Sequence, residues 1–87
     1  MSTYSIVFKK AAEKELAAVN SRDRARIAVA IDQLAITPRP HGCEKLSGAE
    51  SLWRIRVGDF RVIYQIEDRI VTVTVVRIGN RRDVYRR

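Results

Sequence analysis

Arginines recur at short spacing in the second half of the chain. Arg54, Arg56 and Arg61 lie in "LWRIRV" and "FRVIYQI", and the closing residues "GNRRDVYRR" add Arg81, Arg82 and Tyr85. From residue 44 onward arginine holds every basic position except Lys45. Guanidinium is planar, permanently charged and suited to bidentate contact with phosphate, so the chemistry these positions offer is anion binding and charge stabilisation. For the last nine residues taken alone, a solvated basic tail is the plain alternative.

The remaining candidates for chemistry are few. Cys43 is the one cysteine, which excludes an internal disulfide, and with the single His41 beside it there are too few soft ligands for a closed zinc site. A turn histidine and a small, partly buried thiol are the expected roles. No metal and no cofactor is implied. Phosphate-binding loops rich in glycine are absent.

Charge points the same way as the arginines. Seventeen Lys and Arg against ten Asp and Glu give a net +7, a balance that attracts a phosphate backbone or an acidic protein without choosing between them. A chain of 87 residues makes one domain, 1–87, whose folding buries roughly 60 to 65% of its surface. No stretch approaches the ~18 apolar residues of a membrane span, and no basic region followed by an apolar block opens the sequence. The expected location is the cytoplasm.

The elements that must position the arginines follow from hydrophobic period. Residues 3–8, "TYSIVF", alternate Tyr4, Ile6 and Phe8 with Ser5 and Val7, as a strand does. From Lys9, Ala12, Leu16 and Val19 fall at helical spacing in a helix ending near Asn20. Ser21 is the expected N-cap of a second helix, with Asp23 in its first turn and a stripe of Ile27, Ala28, Ile31, Leu34 and Ala35. So short a link predicts an antiparallel helix hairpin. "TPRPHG" ends it, and a loop from Thr37 to about Ser51 follows.

"SLWRIRV", "FRVIYQI" and "IVTVTVVRI" then read as a three-stranded antiparallel meander. The fold class is therefore α+β: an N-terminal strand, two helices and three strands in one sheet packed on the helices. Gly58 and Asp59 suit a type II′ hairpin turn, which pairs Val57 with Phe60, Ile55 with Val62 and Trp53 with Tyr64 on the apolar face. The opposite face receives Arg56 directly across from Arg61, with Arg54 across from Ile63. Like charges placed so are destabilising by a few tenths to ~1 kcal/mol, which calls for an anion to offset them.

In the last strand Val71, Val73 and Val75 take the core side. Arg77 then falls on core parity and is expected at the sheet's end or displaced by a bulge. Gly79 is expected to turn the chain and deliver Arg81 and Tyr85 beside the open basic face. A solvated sheet face, with arginine stems covering strand surface, is the alternative reading of the cluster.

The ordered set "EKLSG", "LWRIRV", "FRVIY" and "GNRRDVY" resembles the RelE/ParE superfamily of bacterial toxins, the toxin halves of type II toxin-antitoxin systems, over the whole length. The RelE branch implies a ribosome-dependent mRNA endoribonuclease that inhibits translation by attack of a ribose 2′-OH on the adjacent phosphate, without metal. The resemblance places Arg56, Arg61, Arg81 and Tyr85 in the catalytic set and Lys45, Arg54 and Arg82 in substrate binding. Tyr85 would stack on a base or orient the 2′-OH, and Arg81 would stabilise the leaving oxygen.

The implied partners are the ribosome with its mRNA and a cognate antitoxin, the two proteins forming a hetero-oligomer on operator DNA. One departure matters: the family's second-strand lysines, one often assigned as general base, are Arg54 and Arg56 here, and guanidinium is a poor base near neutrality. A ParE-like inhibitor of DNA gyrase and a noncatalytic RNA-binding module are the competing expectations.

Overall fold

The computed structural model describes residues 3–46 and 51–80. The first strand, β1 (Ser5–Phe8), half-buries Ile6 and Phe8 and exposes Ser5 and Val7, the alternation expected of an edge strand with one covered face. Helix α1 (Lys10–Ala17) follows and buries Ala12 completely. It ends earlier than its apolar spacing suggests, because Arg24 reaches back and donates to the carbonyls of Ala17 and Val19, closing the turn there.

Asn20, not Ser21, caps α2 (Ser21–Leu34). Its side-chain oxygen accepts from the Asp23 N–H at 2.9 Å and its amide donates to the Asp23 carboxylate at 2.8 Å. Both neighbours are good capping residues, and Asn20 wins because it engages Asp23 twice. On α2, Ile27, Ile31 and Leu34 repeat at helical spacing and are each 1% exposed, so one stripe of the helix carries its attachment to the sheet.

The segment expected to be a loop up to Ser51 contains a two-residue strand, β2 (Glu44–Lys45). It pairs antiparallel with β3 (Leu52–Val57), Glu44 opposite Arg54 and Lys45 opposite Trp53. So short a strand carries no periodicity that a sequence could display. β3 turns into β4 (Phe60–Glu67) through Gly58 and Asp59. Gly58 has φ +60 and Asp59 does not share the positive φ, as a type II′ turn requires. The resulting register is the expected one: Val57 with Phe60, Ile55 with Val62, Trp53 with Tyr64 and Arg56 with Arg61.

A 3₁₀ turn at Asp68–Ile70 leads into β5 (Thr72–Asn80). Val71 was expected on the core side of that strand; it instead sits in the left-handed region at φ 50, inside the turn. Gly79 does not turn the chain either, since it lies within β5 opposite Arg61. Near the middle of β5 the register shifts. Tyr64 pairs with Val75 and Ile63 with Arg77, which leaves Val76 as the extra residue of a bulge. The bulge moves Ile78 into the core position opposite Val62.

The sheet order is β1-β5-β4-β3-β2, with β1 parallel to β5 and the other pairs antiparallel. One apolar cluster joins the α2 stripe and Ala12 to Ile55, Val62, Tyr64, Ile66, Val73, Val75 and Ile78. Each valine, leucine or isoleucine among them contributes about 1.5–3 kcal/mol when fully buried. The two central strands β4 and β5 supply most of it, so the hairpin that carries the arginines rests on the firmest part of the molecule.

Candidate functional site

The register of the β3–β4 hairpin puts Arg54, Arg56 and Arg61 on one face, opposite in parity to Ile55, Val62 and Tyr64. These three arginines line one cleft of about 680 Å³. Its other wall comes from the C-terminal half of α2 and the segment after it, with Ala30, Leu34 and Ile36 as apolar lining and Gln33 and Thr37 as polar lining. His41 and Glu44 close one side. A cleft with an apolar wall and convergent cations fits a nucleotide: a flat base against one side and a phosphate against the other.

The arginines are not equivalent. Arg56 is exposed, whereas Arg61, directly across from it, is only 4% exposed. A covered guanidinium is held in place by the protein around it, whereas Arg56 is open to solvent. Arg54 forms an ion pair with Glu44 across the β2–β3 pairing. That acid was not foreseen among the arginines; it reaches them because β2 exists.

Lys45 lies apart from this set. Its β2 position is opposite Trp53, on the other parity from Arg54, and its ammonium stands 6.0 Å from the Trp53 ring centroid. Arg39 covers the same ring at 5.1 Å. Lys45 is therefore part of a cation–π stack and not of the cleft lining. Arg81, Arg82 and Tyr85 lie outside the described residues.

The cleft's outer wall is tied to the sheet at two points. Tyr64, fully buried, donates its phenol O–H to the Pro38 carbonyl at 2.8 Å, and burial raises its pKa. Asp68 binds Arg39 at 2.9 Å and accepts from the Tyr4 hydroxyl at 2.6 Å. The Arg39 hydrogen bond, then that of Tyr4, holds the Asp68 carboxyl below its ordinary value. Tyr4 is correspondingly raised by its bond to Asp68.

Arg77, awkward on sequence parity, has a structural role. Glu15 accepts from its guanidinium at 2.8 and 3.0 Å and also from the Ile78 N–H at 2.8 Å. β1 stops short of this part of β5, so the Glu15 carboxylate satisfies a strand edge that β1 leaves uncovered.

His41 is a turn residue, as expected, and it also lines the cleft, which its sequence position did not indicate. A lone histidine in a proline-rich turn carries no motif, and only the fold shows that it lines the same cleft as the arginines.

A family model described as the ParE toxin of type II toxin-antitoxin system, parDE, matches residues 6–85. No curated protein sequence matches. Among solved structures, the archaeal RelE–RelB complex from Pyrococcus horikoshii contains a chain 27% identical to this one, with a TM-score of 0.81, covering 91% of this chain and 96% of that one. The intact Escherichia coli RelBE toxin-antitoxin complex gives 26% identity and a TM-score of 0.79 over 88% of this chain and 95% of that one. A metal-bound toxin from Helicobacter pylori shares the fold at 21% identity, with a TM-score of 0.80 and coverage of 94% and 99%.

Proposed function

The chain belongs to the ParE toxin family of type II toxin-antitoxin systems, and we propose that within it this protein is a ribosome-dependent mRNA endoribonuclease. The observation that carries this reading is the Arg56–Arg61 pair: two like charges in direct cross-strand register, one exposed and one covered, on the wall of a nucleotide-sized cleft. Like charges in direct register disfavour folding, and a phosphate bound at the exposed Arg56 would lower that cost.

In the proposed reaction the ribose 2′-oxygen attacks the adjacent phosphorus. The new O2′–P bond forms as the P–O5′ bond breaks, giving a cyclic phosphate and a free 5′-hydroxyl. Arg56 contacts the phosphoryl oxygens directly, and Arg61, covered and directly across from it, adds positive charge on the same wall as the phosphorane develops. Charge stabilisation of this kind is often the largest catalytic contribution, with one well-placed donor worth roughly 3–4 kcal/mol. Arg54, held by Glu44, positions the RNA backbone with Arg82 and Lys45. Arg81 stabilises the departing oxygen, and Tyr85 stacks on a base or orients the 2′-OH, roles that rest on the family resemblance.

The proposed partners are translating ribosomes in the cytoplasm and, to match the +7 charge, an acidic antitoxin; the toxin chains this one is similar to are in complex with RelB. An antitoxin segment that covers the +7 chain at the cleft would block substrate by charge and by volume. A hetero-oligomer with that antitoxin on operator DNA belongs to the same proposal.

A second reading, inhibition of DNA gyrase without RNA cleavage, is favoured by the ParE description of the matching family model. Primer-extension mapping of mRNA in a reconstituted translation system, run beside a gyrase supercoiling assay, separates the two. Ribosome-dependent cuts that fall about 10²-fold or more with Arg56→Ala support the nuclease. Intact mRNA together with stalled supercoiling moves the function to gyrase.

A further inference from the structure

Resting on the nuclease reading, we propose that His41 is the general base that takes the proton from the attacking 2′-hydroxyl. The reaction needs an acceptor near neutral pH, and the cleft's cations are guanidinium groups, which do not give up their protons in this range. Among the described lining residues the acceptors that ionise in water are Glu44 and His41. Glu44 is engaged by Arg54. That leaves the imidazole, the side chain best matched to proton transfer at physiological pH.

The backbone around His41 is built to hold it in place. The Cys43 N–H donates to the Pro40 carbonyl at 3.0 Å, closing a turn with His41 and Gly42 at its centre. Gly42 has φ +92, and a Cβ added there would meet nothing within 4 Å. The glycine is thus required for its backbone conformation and not for space, as in a type II turn. Glu44 follows directly and is pinned to Arg54 in the β2–β3 pairing. On the other side the Tyr64–Pro38 bond and the Arg39–Asp68 pair anchor the same segment to the sheet. An exposed turn side chain is thereby presented to the cleft by a backbone fixed at both ends.

The proton balance closes without a cofactor. Neutral His41 accepts the 2′-OH proton as the O2′–P bond forms, and the departing 5′-oxygen takes a proton from water. The hydroxide so produced returns His41 to neutrality. The charged groups that line the cleft with His41 are Glu44, Arg54, Arg56 and Arg61, with Arg39 and Lys45 nearby in the chain.

The test is single-turnover cleavage of ribosome-bound mRNA across pH, with wild type, His41→Ala and Glu44→Gln compared at equal thermal stability. For His41→Ala the expected result is a rate loss of about 10²-fold or more, disappearance of the acid limb of the rate–pH profile, and partial rescue by added imidazole. A merely structural turn residue would be rescued by no imidazole and would leave the acid limb unchanged. Full activity of His41→Ala overturns the assignment, as does an acid limb removed by Glu44→Gln and kept by His41→Ala. Wild-type protein that cuts no mRNA at all overturns the nuclease reading, and this role with it.

Discussion

Glu15 in α1 and Arg77 in β5 form an ion pair at 2.8 Å that also takes up the Ile78 backbone N–H at 2.8 Å. The carboxylate thus joins the first helix to the last strand just beyond the bulge that brings Ile78 into the core. Glu15→Ala leaves a partly covered guanidinium and a strand N–H without their acceptor, and is expected to cost about 2 kcal/mol. Glu15→Gln keeps an acceptor for the N–H and should lose roughly half as much. Urea unfolding of both variants checks the order; equal stability of Glu15→Ala and wild type would show that water replaces the carboxylate without loss.

Tyr64→Phe removes the donor to the Pro38 carbonyl and is expected to destabilise the chain by about 1–2 kcal/mol. Because burial raises the Tyr64 pKa, this phenol should ionise only as the protein unfolds. An alkaline absorbance titration compared with circular dichroism tests that coincidence. Under the nuclease reading the substitution also slackens the segment carrying His41, so cleavage should fall further than the stability loss alone explains.

Asp68 sets an acid-side dependence. Its carboxyl is held below the ordinary value by Arg39 and then by Tyr4. The stability it contributes is present above the unfolded value of about 3.9 and is lost as pH falls through the lower folded value. Asp68→Asn should flatten the fall in Tm over that acid range, lying slightly below wild type near neutrality, where the contribution is fully present, and converging with it in acid. The pair is exposed, so added salt should shrink the difference between the two proteins. An undiminished acid decline in Asp68→Asn would assign that decline to other carboxylates.

Arg56→Ala should separate stability from activity. Removing one of two facing like charges is expected to raise stability by a few tenths to about 1 kcal/mol. The same change should lower mRNA cleavage by roughly 10²-fold or more. Thermal unfolding and primer extension on one preparation read both effects. A variant that loses stability would show that the pair is already neutralised by other parts of the protein.

The sequence carried the arginine geometry because one feature controlled it. A two-residue turn at Gly58 and Asp59 determines the pairing of both flanking strands, and period-two alternation then assigns every side chain to a face. A bulge in β5 was legible from the parity of Arg77, one of the two placements expected for it, but its position at Val76 was not; nor was the turn at Val71, because neither a valine in the left-handed region nor an extra valine within a valine-rich strand leaves a mark in residue type. β2 was hidden by its length. With it went the Glu44–Arg54 pair and the separation of Lys45 from the cleft, both consequences of one unforeseen strand. His41 was legible only as a turn residue, since its neighbours across the cleft come from β3 and β4.

Ser5 of β1 lies beside Thr72 of β5 in a parallel pairing. A nascent chain therefore cannot seat its first strand until nearly all of the described sequence has left the ribosomal exit tunnel. Assembly must await that late, long-range closure, which slows acquisition of the native state. For a toxin, the delay lengthens the interval in which a newly made antitoxin meets an unfinished fold.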